Sequence, residues 1–118
     1  MSTKKKNDSS KRDQLYVKHI ADSIYAIESY IKGVKKTSFA GDTKTQDAII
    51  RRIEIIGEAA KRISLSMKKQ YPDIPWREMA GMRDKLIHHY DDIELPILWD
   101  TLKEDIPTLK KLLSPIKE

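Results

Sequence analysis

The stretch Val17-Lys18-His19-Ile20-Ala21-Asp22-Ser23-Ile24-Tyr25-Ala26-Ile27-Glu28-Ser29-Tyr30-Ile31-Lys32-Gly33-Val34 decides the fold. Its residues Val17, Ile20, Ile24, Ile27, Ile31 and Val34 are spaced 3, 4, 3, 4 and 3. That rhythm puts them on one face of an α-helix and on no face of a strand. It predicts a helix from Asp13 to Val34.

Working outward, the same rhythm returns. Ile49, Ile53, Ile56, Ala60, Ile63 and Met67 are spaced 4, 3, 4, 3 and 4 and predict one helix from Thr43 to Lys69, about 40 Å long at 1.5 Å per residue. Thr43 and Gln46 read as a capping box at its start. Ala48, Ile55 and Ala59, with Ile50 and Gly57 between the strips, widen its apolar surface, so contact on two sides is expected. Gly57 and Ala60 would let another backbone approach closely.

Lys35 to Asp42 reads as a polar connection broken at Gly41. Tyr71-Pro72-Asp73-Ile74-Pro75 stops the second helix and starts a third, from Pro75 to about Tyr90, since Pro suits a first helical turn. Asp91 and Asp92 are N-cap candidates for a fourth helix with Pro96 in its first turn. Leu95, Leu98, Leu102, Ile106, Leu109 and Leu113 form its stripe, and Pro107 should kink or split it near Asp105. With no strand pattern, repeat or glycine-rich loop, the chain reads as an all-α, four- to five-helix up-and-down bundle, its long helices packed antiparallel at shallow angles. The apolar stripes are core.

The chain's 118 residues make one domain, and a chain this short often gains stability against a second copy. Zero cysteines exclude disulfides and thiolate metal sites. No apolar run approaches the ~20 residues needed to span a bilayer, and no secretory h-region is present, so a cytoplasmic protein is expected. Residues 1–12 hold Lys4, Lys5, Lys6, Lys11 and Arg12 against Asp8, which is +4 of the net +5. The basic character therefore sits in a leader expected to be disordered, ahead of a near-neutral domain over residues 13–118. The high pI is weak support for nucleic-acid binding.

Chemistry concentrates in Arg83-Asp84-Lys85-Leu86-Ile87-His88-His89-Tyr90. Histidine exchanges protons near neutrality, and arginine forks onto phosphate oxygens. Such a pair suits RNA cleavage without metal: His88 removes the ribose 2′-OH proton while Arg83 steadies charge growing on the phosphate. On a continuous helix at about 100° per residue, His88 falls one turn after Asp84, which could fix its tautomer. Arg83 falls about 140° away from His88. It could curl round, the helix could loosen before Tyr90, or a second chain could complete the site, the option favoured because one chain offers few other cations nearby.

Blander readings stand beside these. His89 fits a helix C-terminus, where a cation is favoured. Tyr90 fits the core with its hydroxyl at the surface, and Trp76 and Trp99 fit core anchors better than base-stacking platforms. His88 and His89 point apart and His19 is distant in sequence, so no metal-ligand spacing is present. No nucleophile motif or phosphate loop is visible.

The stretch from Ile74 to Tyr90, with Arg83, four residues, His88, one residue, Tyr90, resembles the HepT-like toxins of the HEPN superfamily. Ile55-Ile56-Gly57-Glu58-Ala59-Ala60 and the stretch from Leu98-Trp99-Asp100 to Asp105-Ile106-Pro107 agree, and the resemblance covers roughly residues 13 to 113. It implies a homodimeric helical bundle acting as a metal-independent endoribonuclease toxin on RNA, without cofactor. Arg83 and His88 would be catalytic and Asp84 assisting. It also implies a small nucleotidyltransferase antitoxin of the MNT type, which can transfer AMP to the motif tyrosine, here Tyr90. A bulky anion there would repel RNA. Asp91 and Asp92, which follow, weaken the local positive potential and motivate an alternative: a non-catalytic helical module that docks the nucleotidyltransferase and positions its substrate. A purely structural dimerisation domain is the third reading.

Overall fold

The structure is a computed structural model. It describes the backbone of residues 2–89 and 92–116, and side chains from Ser9 onward except those of His88 and His89. Its elements are α1 (Ser2–Ile31), α2 (Lys36–Ala40), α3 (Thr43–Arg62), α4 (Leu65–Gln70), α5 (Trp76–Ala80), α6 (Met82–Leu86), β1 (Ile87–His89), β2 (Asp92–Ile93), α7 (Leu95–Asp100), a π-helical segment (Thr101–Asp105) and α8 (Ile106–Leu113).

The helices follow the stripes. Val17, Ile20, Ile24, Ile27 and Ile31 of α1 are buried, as are Ile49, Ile53, Ile56, Ala60 and Ile63 along α3 and its C-cap. Each fully buried Ile adds roughly 1.5–3 kcal/mol through area removed from water. α1 and α3 form the principal pair, and α3's other side receives α5 and α6. Of the second apolar strip, Ala59 and the neighbouring Gly57 are buried, whereas Ala48 and Ile55 stay half-buried. Leu98, Leu102, Ile106, Leu109 and Leu113 close the core from the C-terminal helices, and Lys110 of α8 reaches Glu28 of α1 at 3.0 Å. This is the all-α bundle expected. α1 begins at Ser2, so its helical backbone also covers the basic leader; from Ser9 onward, Asp13 is the first buried residue.

Several boundaries differ from the sequence reading, each for a local reason. α1 ends at Ile31, and Gly33 takes φ +73°, a left-handed conformation only glycine adopts without strain. The "polar connection" contains α2, because Phe39 is buried and stacks 5.2 Å from Trp99. The cap of α3 is Asp42, whose carboxylate accepts from the Thr45 amide at 3.1 Å and its hydroxyl at 2.6 Å. Gln46 makes no capping box. It is buried and donates to the carbonyls of Phe39 (2.8 Å) and Ala40 (3.1 Å), satisfying the end of α2.

The predicted helix from Thr43 to Lys69 is two helices. Ile63 is extended, and Ser64 caps α4 by accepting from the Met67 amide at 3.2 Å. The Ser64 amide in turn donates to the carboxylate of Asp13 at 2.9 Å. Serine's capping preference and the buried carboxylate's need for donors outweigh helix continuation.

The predicted helix from Pro75 to Tyr90 also breaks. Gly81 sits between α5 and α6 at φ −98°, ψ 6°, and the chain turns extended at Ile87. A short antiparallel ladder follows, Ile87 opposite Ile93 and His89 opposite Asp92, with an irregularity between. The β-branched and aromatic run there suits a strand better than a helix. Asp92 lies in β2 and caps nothing; Glu94 is the N-cap of α7, without a side-chain cap bond. Asp91 lies outside the described residues. Pro96 does sit in the first turn of α7; at Pro107 the helix is not split but runs on from α7 through the π segment into α8, with αR dihedrals at Thr101, Asp105 and Ile106, so the missing amide is met by a change of hydrogen-bond register.

Candidate active site around Arg83

α6 is pinned by buried Met82 and Leu86. Arg83, one residue on from Met82, is turned by about 100° out of that core and towards α3. The approach of the two layers is set by Gly57. A Cβ there would lie 3.2 Å from the Ala80 carbonyl oxygen and 3.4 Å from that of Met79, so the end of α5 rests directly on the α3 backbone. Sequence reasoning anticipated such a close approach at Gly57.

Arg83 is held by a residue the sequence reading passed over. Its Nε donates to Glu54 Oε2 at 2.8 Å. Arg51 Nη1 lies 3.7 Å from the other oxygen, Oε1, and Arg83 Nη1 lies 3.6 Å from Asp84 Oδ1. The Arg83 side chain is 43% exposed and that of Glu54 33%, so the pair adds at most about 1 kcal/mol to stability. Its effect is to orient the guanidinium. A signal for Glu54 existed: it is the one charge in Ile53-Glu54-Ile55-Ile56, and a carboxylate set among apolar residues needs a cation.

An open depression of about 320 Å³ lies here, lined by Arg51, Glu54, Gly57, Glu58, Lys61, Ala80, Arg83 and Asp84. Three cations face three carboxylates around it. Glu58 is also 3.8 Å from Arg62.

Of the residues singled out in sequence, Arg83 and Asp84 are adjacent at this rim. Asp84 is not placed one helical turn before His88, because α6 ends at Leu86; its carboxylate, 85% exposed, stands beside Arg83 instead. The helix therefore loosens before Tyr90, one of the three arrangements that the spacing left open. His88 is described as backbone in β1; its side chain, that of His89, and Tyr90 lie outside the described residues. Trp76 is a buried anchor whose indole donates to the Tyr71 carbonyl at 3.2 Å. Half-buried Trp99 packs on Phe39 with the Lys103 ammonium 5.5 Å over its ring. No helix among the described residues is long and apolar enough to cross a membrane.

Comparison with known proteins puts this helical body among the ribonucleases. More particularly, it belongs to the HepT-like ribonuclease family: the family described as "Ribonuclease HepT-like" matches residues 20–116. The chain is similar to the "Probable ribonuclease HepT" of Thermococcus cleftensis, 52% identical over 80% of this chain and 86% of that one. A "Putative RNase" of Caldanaerobacter subterraneus subsp. tengcongensis is 37% identical over 86% of this chain and 90% of its own. A protein of Methanocaldococcus jannaschii described as "Gamma-glutamylcyclotransferase and putative RNase" is 44% identical over 89% of this chain, which spans only 47% of that longer protein. No solved structure matches the chain.

Proposed function

We propose that this ribonuclease is a metal-independent endoribonuclease, the toxin of a toxin–antitoxin pair, acting on RNA in the cytoplasm. The observation that carries the reading is Arg83, a half-exposed cation held at the lip of a polar depression and followed five residues later by His88 on an extended segment. His88 takes the proton of a ribose 2′-OH. The 2′-oxygen attacks phosphorus, Arg83 neutralises the developing charge, and the 5′-oxygen leaves with a proton from water. The products are a 2′,3′-cyclic phosphate and a 5′-hydroxyl. Asp84 assists from beside Arg83.

A homodimer brings a second set of these groups, although Arg51 and Lys61 already stand beside Arg83 within one chain. The partner is an MNT-type nucleotidyltransferase antitoxin. It silences the toxin when the Tyr90 hydroxyl attacks the α-phosphorus of ATP and pyrophosphate leaves, placing an anion where RNA must bind. Wild type, Arg83→Ala and His88→Ala are compared on RNA in chelator. Loss of the base should cost about 10²- to 10⁴-fold; cleavage by His88→Ala at the wild-type rate refutes the reading.

The charge balance of the depression favours one other reading. Three carboxylates against three cations give no net field to draw in a polyanion. On this view the chain is a docking module for the nucleotidyltransferase. Mass measurement after co-expression with a minimal nucleotidyltransferase discriminates: AMP on Tyr90 of a chain that never cuts RNA supports the module.

A further inference from the structure

The geometry points to Glu54 as a positioning residue for Arg83, fixing which edge of the guanidinium meets the phosphate. This rests on the ribonuclease reading with Arg83 at the phosphate.

A guanidinium can bind an anion through its Nε/Nη edge or through its two Nη groups. Glu54 takes the first edge, at Nε and through one oxygen, Oε2, at 2.8 Å. The other oxygen, Oε1, lies towards Arg51 at 3.7 Å. That is beyond hydrogen-bond reach, and the one hydrogen bond between the Glu54 and Arg83 side chains is the Nε contact, so no two-point fork closes on Arg83. Among the described residues Nη1 has only Asp84 near it, at 3.6 Å, beyond hydrogen-bond reach. Nη2 has no acceptor among the described residues. The end-on pair of nitrogens is what remains for a phosphate.

A competing inhibitory clamp would be expected to hold the fork through two points. A single grip at Nε orients the group and leaves its phosphate-binding end open. Gly57, one turn along α3 from Glu54, lets α5 rest on α3 and so sets the level at which α6 offers Arg83 to Glu54. Glu54 touches no substrate in this scheme; it acts through Arg83. A fixed orientation matters because small misplacements of a catalytic group cost up to about 10²-fold.

The test uses the full chain and synthetic RNA in chelator. Glu54→Ala should lower kcat by about tenfold or more while KM stays level or falls, since a carboxylate near the phosphate is gone. Glu54→Gln keeps an acceptor oxygen for Nε–H and should recover most of kcat. In an Arg83→Ala background, Glu54→Ala should cause no further loss, whereas a merely structural role would lower activity additively. A second readout is independent of cleavage: the Arg83 Nε–H proton, followed by NMR, should exchange slowly in wild type and quickly in Glu54→Ala. Wild-type kcat in Glu54→Ala, with Arg83→Ala inactive, overturns the role of Glu54 and leaves the ribonuclease reading intact. An unprotected Arg83 Nε–H in wild type overturns the role whatever the activity. A wild type that does not cut RNA sinks the functional reading alone.

Discussion

Replacing Gly57 with alanine sets two opposed terms against each other at the joint that presents Arg83. In a helix interior, Ala is favoured over Gly by about 1 kcal/mol. Against this, the new Cβ would sit 3.2 Å from the Ala80 carbonyl oxygen and 3.4 Å from that of Met79. Both are backbone atoms, so the end of α5 must move by a few tenths of an ångström. Overpacking of this kind costs roughly 1–3 kcal/mol. The net expectation is destabilisation between about 0 and 2 kcal/mol, read from urea denaturation with m unchanged. The same displacement is passed to α6 and lengthens the 2.8 Å Arg83–Glu54 bond. Cleavage of RNA should therefore fall several-fold, more than a change of under 2 kcal/mol in a folded protein would cause by unfolding. A variant that gains the full propensity term of about 1 kcal/mol and keeps wild-type activity refutes the reasoning, because the close approach would then place nothing.

Two further outcomes follow from the caps. Asp13→Ala strips the buried carboxylate from the Ser64 amide and hydroxyl and should cost about 1–3 kcal/mol; a loss under about 0.5 kcal/mol in urea denaturation shows that the tie contributes nothing. Asp42 is held below its ordinary value of 3.8, first by the Thr45 hydroxyl and then by the Thr45 amide. A carboxyl depressed in the folded state adds stability that is present above 3.8 and lost as pH falls through the lower folded value. Thermal midpoints below about pH 4 should thus fall less steeply with pH in Asp42→Asn than in wild type, and identical acid limbs contradict the assignment.

What could be read from sequence and what could not divides by the range of the interaction. Val17 to Ile31, Ile49 to Ile63 and Leu98 to Leu113 are core because one-dimensional spacing maps directly onto a helix face. The irregularity before Pro107 was readable because it depends on one missing amide, though it takes the form of a π segment and not of a split. The break at Ser64 was not, since its partner Asp13 lies fifty-one residues away. Gln46 looked like a cap from its spacing to Thr43, but α2, a helix that the polar letters of Lys35 to Asp42 concealed, gave its amide two carbonyls. At the site, Arg83 and Asp84 stood out by residue type. Glu54 did not, because pairing across elements leaves no trace in local spacing, only the oddness of a carboxylate between isoleucines.

The termination of α6 changes what the Arg-x4-His spacing means. Along a continuous helix, five residues rotate a side chain by about 500°, so Arg83 and His88 would be fixed about 140° apart, and one chain could join them only by bending a long side chain. Ending the helix at Leu86 removes that constraint, because the backbone turns extended at Ile87 and its ladder with β2 is irregular between Ile87 and His89. Two separate anchors then hold the Arg83 side chain and the backbone beyond α6. Glu54 holds Arg83 from α3, and the pairing of Ile87 with Ile93 holds the backbone that carries His88. The bond of the Glu94 amide to the Leu86 carbonyl, at 2.9 Å, ties that ladder to the last turn of α6. A motif split between a helix and a strand is thus held at two places, and one of them, Ile87, is tied into the core. This gives a physical reason for the apolar stripes and the reactive segment to obey different rules within one short chain.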